Sequence, residues 1–289
     1  MRSLAEDAMD TLASDTSCGH HAWGYPWDTQ TRWSHYKAGS PNIIATAFAA
    51  SALAEAADKL NQPKWLHRAE NAAKWVVQEL YLPAHGYFAY HQHSEQLIHN
   101  ANLLGAALVH RLVAEDGEAR RAVETALDHT LTAQHADGTW PYGEGDSLRW
   151  VDSFHTAYVL DALSRLRHVD DRTLPAIQRG TETYLTHFFG AHGQARLWRA
   201  KPFPQDSHSA GTALSVLTHL NAADLIQNVD FISVLAGRTV ACLVDRKTGH
   251  AIFRRYRWGR SYVQYPRWCD APVARGLALA ANHLDPRKT

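Results

Sequence analysis

The 289-residue chain has no excess charge, with 29 Lys and Arg against 29 Asp and Glu. Without a global field to draw it to a polyanion, nucleic acid is not an expected partner. No apolar run approaches the roughly 18 residues of a spanning helix, so membrane insertion is not expected. The opening "MRSLAEDAMDTLAS" is acidic and lacks the apolar core of a signal peptide. Cysteine is scarce: Cys18, Cys242 and Cys269 are an odd number without metal-type spacing. Reduced thiols in a cytoplasmic setting are the expectation, and no cofactor is implied. Asp206, His208 and Cys269 or Asp270 are legitimate zinc-ligand types, but their spacing follows no recognised motif, so no metal is expected. Runs with the alternation of strands are missing as well.

Histidine and tryptophan are plentiful, at 19 and 10 residues, and they concentrate between helical segments together with much of the Tyr and Arg. Five segments rich in Ala and other small residues read as helices: 40–57, 99–115, 152–166, 206–220 and 270–284. Their starts are 53 to 64 residues apart. More amphipathic helices fall between them at 64–82, 118–134, 173–189 and 228–245, and "SLAEDAMDTLA" supplies a shorter first one. Alternation at a fixed period is the mark of a repeat architecture. An amphipathic helix keeps a wet face, whereas one apolar all round is buried on every side. The spacing therefore predicts an all-α fold, an α/α toroid of about five hairpins with the Ala-rich helices inside. No composition break marks a linker, so one domain is expected over 1–289.

The stretches before the Ala-rich helices also repeat. "GYFAYHQHSEQLIH" (86–99), "GTWPYGEGDSLRW" (138–150), "GQARLWRAKPFPQ" (193–205) and "GHAIFRRYRWGRSYVQYPRW" (249–268) open with Gly, the expected stop after a helix, and soon reach an aromatic. "GYPWDTQTRWSHYKAG" (24–39), which holds Asp28, is a looser copy. In a toroid these loops crowd one end, and long loops in compact bundles are more often functional. Each inner helix begins with a polar cluster: Ser40-Pro41-Asn42, then His99, Asn100 and Asn102, then Asp152 and His155, then Asp206 and His208, and finally Asp270. Helix capping explains Ser40 well and accounts for the aspartates in part. It does not require the histidines and asparagines.

Helix N-termini that converge on one cavity favour an anion. Arg32, Arg199, Arg254, Arg255 and Arg267 lie in the loops over it and are suited to bidentate grips, although a solvated loop charge is the ordinary reading of any one. Aromatics share these loops: Trp23, Tyr25, Trp27, Trp140, Trp198, Tyr256 and Trp268 among them. Packing accounts for part of this set. The remainder, mixed with hydrogen-bonding groups such as Glu144, suits the alternating C–H faces and hydroxyl edges of pyranose rings, so a sugar or glycan, anionic in character, is the expected partner.

Proton abstraction beside a carboxylate needs a base, an opposing acid and groups that neutralise the enolate. His155 is the candidate base, with Asp152 one turn away to orient it; Asp206 and His208 offer a second pair. Tyr142 or Tyr25 is the candidate acid, and Asn42, Asn102 and Arg255 form a candidate carboxylate clamp. Return of the proton to the other face gives epimerisation, and loss of a β-substituent gives a lyase. Paired carboxylates from Asp152, Asp206, Asp270 and Glu144 keep a glycoside hydrolase open. A non-catalytic glycan binder would use the aromatics and arginines alone.

Two resemblances add to this reading. "QHADGTW" (134–140) is similar to the Gln-x-x-x-Gly-x-Trp signature of terpenoid-cyclase and prenyltransferase toroids, where it implies a staple between an outer helix and the next loop. A cyclase is the less fitting chemistry, because the only Asp-Asp, Asp170-Asp171, falls in a turn at the other end and the mouth is polar. Over nearly the whole chain, "WGYPWDTQTRW", "SPNIIATAFAASAL", "DGTWPYGEG", "WVDSFHTAYVLDAL", "PFPQDSHSA" and "YPRWCDAPV" resemble successive blocks of the bacterial VpsJ-like polysaccharide-biosynthesis proteins. The resemblance implies kinship in fold with the toroid domain of glucuronyl 5-epimerases and a role in making polysaccharide. It also implies that this chain is a short version, lacking an N-terminal stretch.

Overall fold

The computed structural model describes residues 2–14, 16, 19–30, 35–285 and 287, and they divide into two compact units, Met1–Thr132 and Ala133–Thr289. Arg32 and Cys18, both singled out above, lie outside the described residues. Among the described residues no helix is long and apolar enough to cross a membrane.

The first unit contains α1 (Arg2–Ser14), α2 (Ile43–Leu60), α3 (Pro63–Leu80), α4 (His99–Val113) and α5 (Gly117–Thr132), with two-residue strands β1 (Thr29–Gln30), β2 (His35–Tyr36), β3 (Tyr81–Leu82) and β4 (Tyr87–Phe88). The Ala-rich α2 and α4 pack on each other. At Gly105 of α4 a Cβ would come within 2.4 Å of Ile43 Cδ1, so the missing side chain sets their approach. The cap of α2 is Asn42 and not Ser40. An antiparallel bridge from Pro41 to Gly24 keeps that segment extended, and the helix starts only after Asn42 accepts the Ala45 N–H.

The second unit contains α6 (Ser153–Arg165), α7 (Thr173–His187), α8 (Ser207–Ala222), α9 (Val229–Leu243) and α10 (Ala271–His283), with β5 (Gln205–Asp206), β6 (Arg254–Arg255) and β7 (Arg260–Ser261) in one antiparallel sheet of order β5-β6-β7. α8 packs on α6, α9 and α10. Thirteen of its 16 residues are buried, against five of 15 in the amphipathic α9, as the two helix types require. α10 departs from the expectation for an Ala-rich helix: only Val273, Gly276 and Ala280 are buried, because it meets its neighbours along one stripe. That stripe is tight. A Cβ on Gly276 would lie 2.4 Å from the Gly211 carbonyl oxygen, and one on Gly211 would lie 2.3 Å from the Pro272 carbonyl carbon.

The motif at 134–140 ties its loop to α7. Gln134 Nε2 donates to the Ala176 carbonyl at 2.9 Å, and Arg179 donates to Gln134 Oε1 at 2.6 Å. Gly138 adopts φ +83°, where a Cβ would collide with the Arg179 carbonyl. Trp140 is 2% exposed and lies over Gly180, whose Cβ would sit 2.5 Å from the indole. This corrects the expectation that Trp140 meets a ligand, since its ring is used up in packing.

Candidate active site

Within the second unit the site is built on the N-termini of α6 and α8. Asp152 ends an extended segment, bridged to Trp198, and is the N-cap of α6. Its carboxylate is 3% exposed and makes two bonds to one residue. Oδ1 accepts the His155 backbone N–H at 2.9 Å, and Oδ2 lies 2.7 Å from His155 Nδ1. An ionised carboxylate only accepts, so Nδ1 carries the hydrogen, and in the neutral ring Nε2 holds the lone pair. Capping and the orientation of a histidine are therefore done by the same side chain.

Aromatic rings enclose the dyad. Tyr142 stacks on Trp150 with centroids 4.2 Å apart, and the two rings stand 4.5 and 5.2 Å from the His155 ring. Their loop is pinned because the Tyr142 N–H donates to the Trp150 carbonyl at 2.8 Å. Trp198 meets the edge of Trp150 at 6.2 Å. Phe154 separates two histidines, with its centroid 4.1 Å from His155 and 4.5 Å from His208.

His208, in the first turn of α8, does not pair with Asp206, which corrects the expectation of a second carboxylate–histidine pair. Its Nδ1 lies 3.0 Å from the Trp268 carbonyl and its Nε2 lies 2.9 Å from Tyr158 Oη. The carbonyl can only accept, so Nδ1–H donates to it and the Tyr158 hydroxyl donates to Nε2. Burial foremost, with the charges of His155 and Arg267 and against the Trp268 carbonyl, pushes the His208 pKa down to about 3. Asp206, 1% exposed, is turned to other work. Oδ1 caps α8 by accepting the Ser209 N–H and hydroxyl, and Oδ2 accepts Arg254 Nε at 2.9 Å. Burial opposes the Arg254 charge, but Asp206 and Tyr256 outweigh it and raise its pKa.

The other expected site residues scatter in role. Asp270 does not cap α10. A π-helical turn over 266–270 runs straight into that helix, and Asp270 Oδ1 instead accepts the Ala251 N–H at 2.7 Å. Glu144 is exposed. Arg267 lies over the Trp268 ring at 5.0 Å, and Arg199 pairs with Asp137. In the first unit, Trp23 is buried and its indole donates to the Leu12 carbonyl. Asn102 is spent on the Phe88 N–H, the Ala126 carbonyl and Thr130, and Asp28 on the Ala38 N–H. Trp23 and Asn102 are structural, and the clamp expected of Asn102 is not formed. Tyr25 stacks on the half-exposed Trp27 at 5.8 Å. Among the described residues, the buried Asn42 Nδ2 and Asn100 Oδ1 find no hydrogen-bond partner. Phe154 and Tyr158 were not singled out from sequence. Their i, i+4 spacing was legible as a helix face, but one indistinguishable from ordinary packing.

No protein-family model matches the chain, and no curated protein matches its sequence. Solved structures do resemble it. A cellobiose 2-epimerase from Bacillus thermoamylovorans B4167 aligns with a TM-score of 0.73 at 12% identity, over 98% of this chain and 87% of its own. A sugar epimerase from a ruminal bacterium gives 0.74 at 9% identity, over 98% and 82%. An unsaturated glucuronyl hydrolase from Bacillus sp. GL1 gives 0.63 at 16% identity, over 85% and 74%. The likeness is one of fold, and the fold class is the all-α toroid.

Proposed function

We propose that the chain is a carbohydrate-active enzyme that moves protons on an acidic sugar or glycan, by chemistry of the epimerase or lyase type. The observation that carries this reading is the Asp152–His155 dyad. A buried carboxylate fixes the Nδ1–H tautomer and stabilises the imidazolium that forms when Nε2 takes a proton. In this reading Nε2 removes the proton next to a carboxylate or carbonyl, and the charge that develops on oxygen is met by cations such as Arg267. The Tyr142 ring is only 4.5 Å from the His155 ring, so Tyr142 shares the base's side of the substrate. The proton that completes an epimerisation reaches the opposite face from another donor or from water. If a β-substituent departs first, the product is an alkene. Trp150 and Trp198 offer flat faces to pyranose rings.

That the structural neighbours are sugar epimerases and an unsaturated glucuronyl hydrolase supports a sugar as substrate. The bonding of Asp152 and Asp206 speaks against hydrolysis by paired carboxylates. Both oxygens of each already accept from a cap and from a cationic or imidazole partner, and such donors oppose the protonated form a general acid needs. The resemblance to VpsJ-like proteins supports a place in polysaccharide synthesis.

The test is proton exchange in D2O, followed by NMR on cellobiose and on glucuronate-terminated disaccharides. Deuterium should enter one C–H position, and His155→Asn should slow this by about 10²- to 10⁴-fold. Release of reducing ends without deuterium incorporation, or full exchange by the variant, would overturn the assignment.

A further inference from the structure

The sheet of the second unit ends in a hairpin that the proposed chemistry leaves unused. β6 and β7 place Arg255 directly opposite Arg260. Like charges directly opposite on one face of an antiparallel pair repel. No carboxylate among the described residues relieves this pair. Arg255 reaches only neutral acceptors, Gln205 Oε1 and Cys242 Sγ, both at 3.4 Å, and Arg260 is exposed. The 24 residues between Asp245 and Asp270 hold seven Lys and Arg and no acid, in a chain that is neutral as a whole. Asp206 balances one of them, Arg254.

At the tip, the Tyr256 N–H donates to the Gly259 carbonyl at 2.7 Å and turns Trp258 outward. Trp258 is 88% exposed, with the Arg257 guanidinium over its ring at 4.9 Å. An indole so exposed contributes nothing to a core, and it presents a flat apolar face beside cations. The hairpin is also continuous with the site: β5 leads directly into α8, and the carbonyl of Trp268 holds His208.

We propose that this hairpin binds the chain of a polymeric acidic glycan, with uronate carboxylates at Arg255 and Arg260 and a pyranose ring on Trp258. The enzyme then works on a sugar unit of a polymer and not on a free monosaccharide. This rests on the proposed sugar chemistry for its meaning, while the binding itself is measured separately. A single-stranded nucleic acid would meet the same stacking. It is the lesser fit, because the cations form one cross-strand pair and not a continuous basic groove.

The test is calorimetric titration of the intact chain with hexagalacturonate, maltohexaose, galacturonate and an oligothymidylate of similar length. Hexagalacturonate should bind at least about tenfold more tightly than the other three and weaken as salt rises. Trp258→Ala and Arg260→Gln, both at exposed positions and checked for unchanged thermal melts, should each weaken it about tenfold. Equal binding of maltohexaose or galacturonate, tighter binding of the oligothymidylate, or full affinity in both variants overturns the proposal. The two readings fail separately. Hairpin-dependent binding without proton exchange on any sugar would sink the enzymatic reading alone. Exchange on small sugars without hairpin-dependent binding would sink this one.

Discussion

The Asp152 carboxylate holds His155 twice, by the backbone N–H at 2.9 Å and by Nδ1 at 2.7 Å, so one side chain both starts α6 and sets the tautomer of the ring. The two tasks can be separated. Asn caps a helix about as well as Asp, yet its neutral amide cannot stabilise an imidazolium. Asp152→Asn should therefore leave the melting temperature nearly unchanged while slowing deuterium exchange by about 10²- to 10⁴-fold. A parallel loss of stability and activity would make Asp152 a structural cap only.

Acid should destabilise the second unit in two stages. His208 is held neutral in the fold with its pKa at about 3, whereas an unfolded histidine titrates near 6.5. The unfolded chain thus binds the extra proton, and stability falls as pH drops from about 6.5 towards 3. Asp161 follows. Burial opposes its charge, but Arg165, His219 and Arg275 outweigh burial and hold its carboxyl well below the usual range. Its contribution is present above the unfolded pKa near 3.8 and is lost as pH falls below it. Urea titrations of the wild type and of His208→Gln should show the first stage flattened in the variant.

Gly276→Ala should be destabilising although Ala is the better helix former. The added methyl would sit 2.4 Å from the Gly211 carbonyl oxygen, an atom of the facing helix that cannot swing aside. Overpacking of this kind costs about 1–3 kcal/mol, more than the roughly 1 kcal/mol gained in helix propensity. Chemical denaturation reads the difference.

Trp140→Ala should act on stability and not on substrate affinity. The indole is buried against Gly180, and removing a ring of that size costs about 3–5 kcal/mol. A raised KM with an unchanged unfolding midpoint would return Trp140 to the binding surface.

Much of the fold was legible because helix type follows from local periodicity. The ten helical segments read from the sequence match α1 to α10, to within about three residues at most ends. The strands were not legible: each is two residues long, too short for any alternation to register. Of the candidate site, Asp152 and His155 were found because i, i+3 on one helix is fixed by the backbone. The partners of His208 were not, since Tyr158 lies 50 residues away and the Trp268 carbonyl 60 residues away.

What the sequence determined by itself is local: which segments coil, which faces are wet, and which polar residues stand at helix starts. The tertiary structure alone decided how those polar residues are spent. Asp206 turned to Arg254, Asn102 to backbone groups of its own unit, and Asp270 to the Ala251 N–H. The physical reason is that a buried polar group must find a partner, and which partner is in reach depends on packing between segments far apart in the chain.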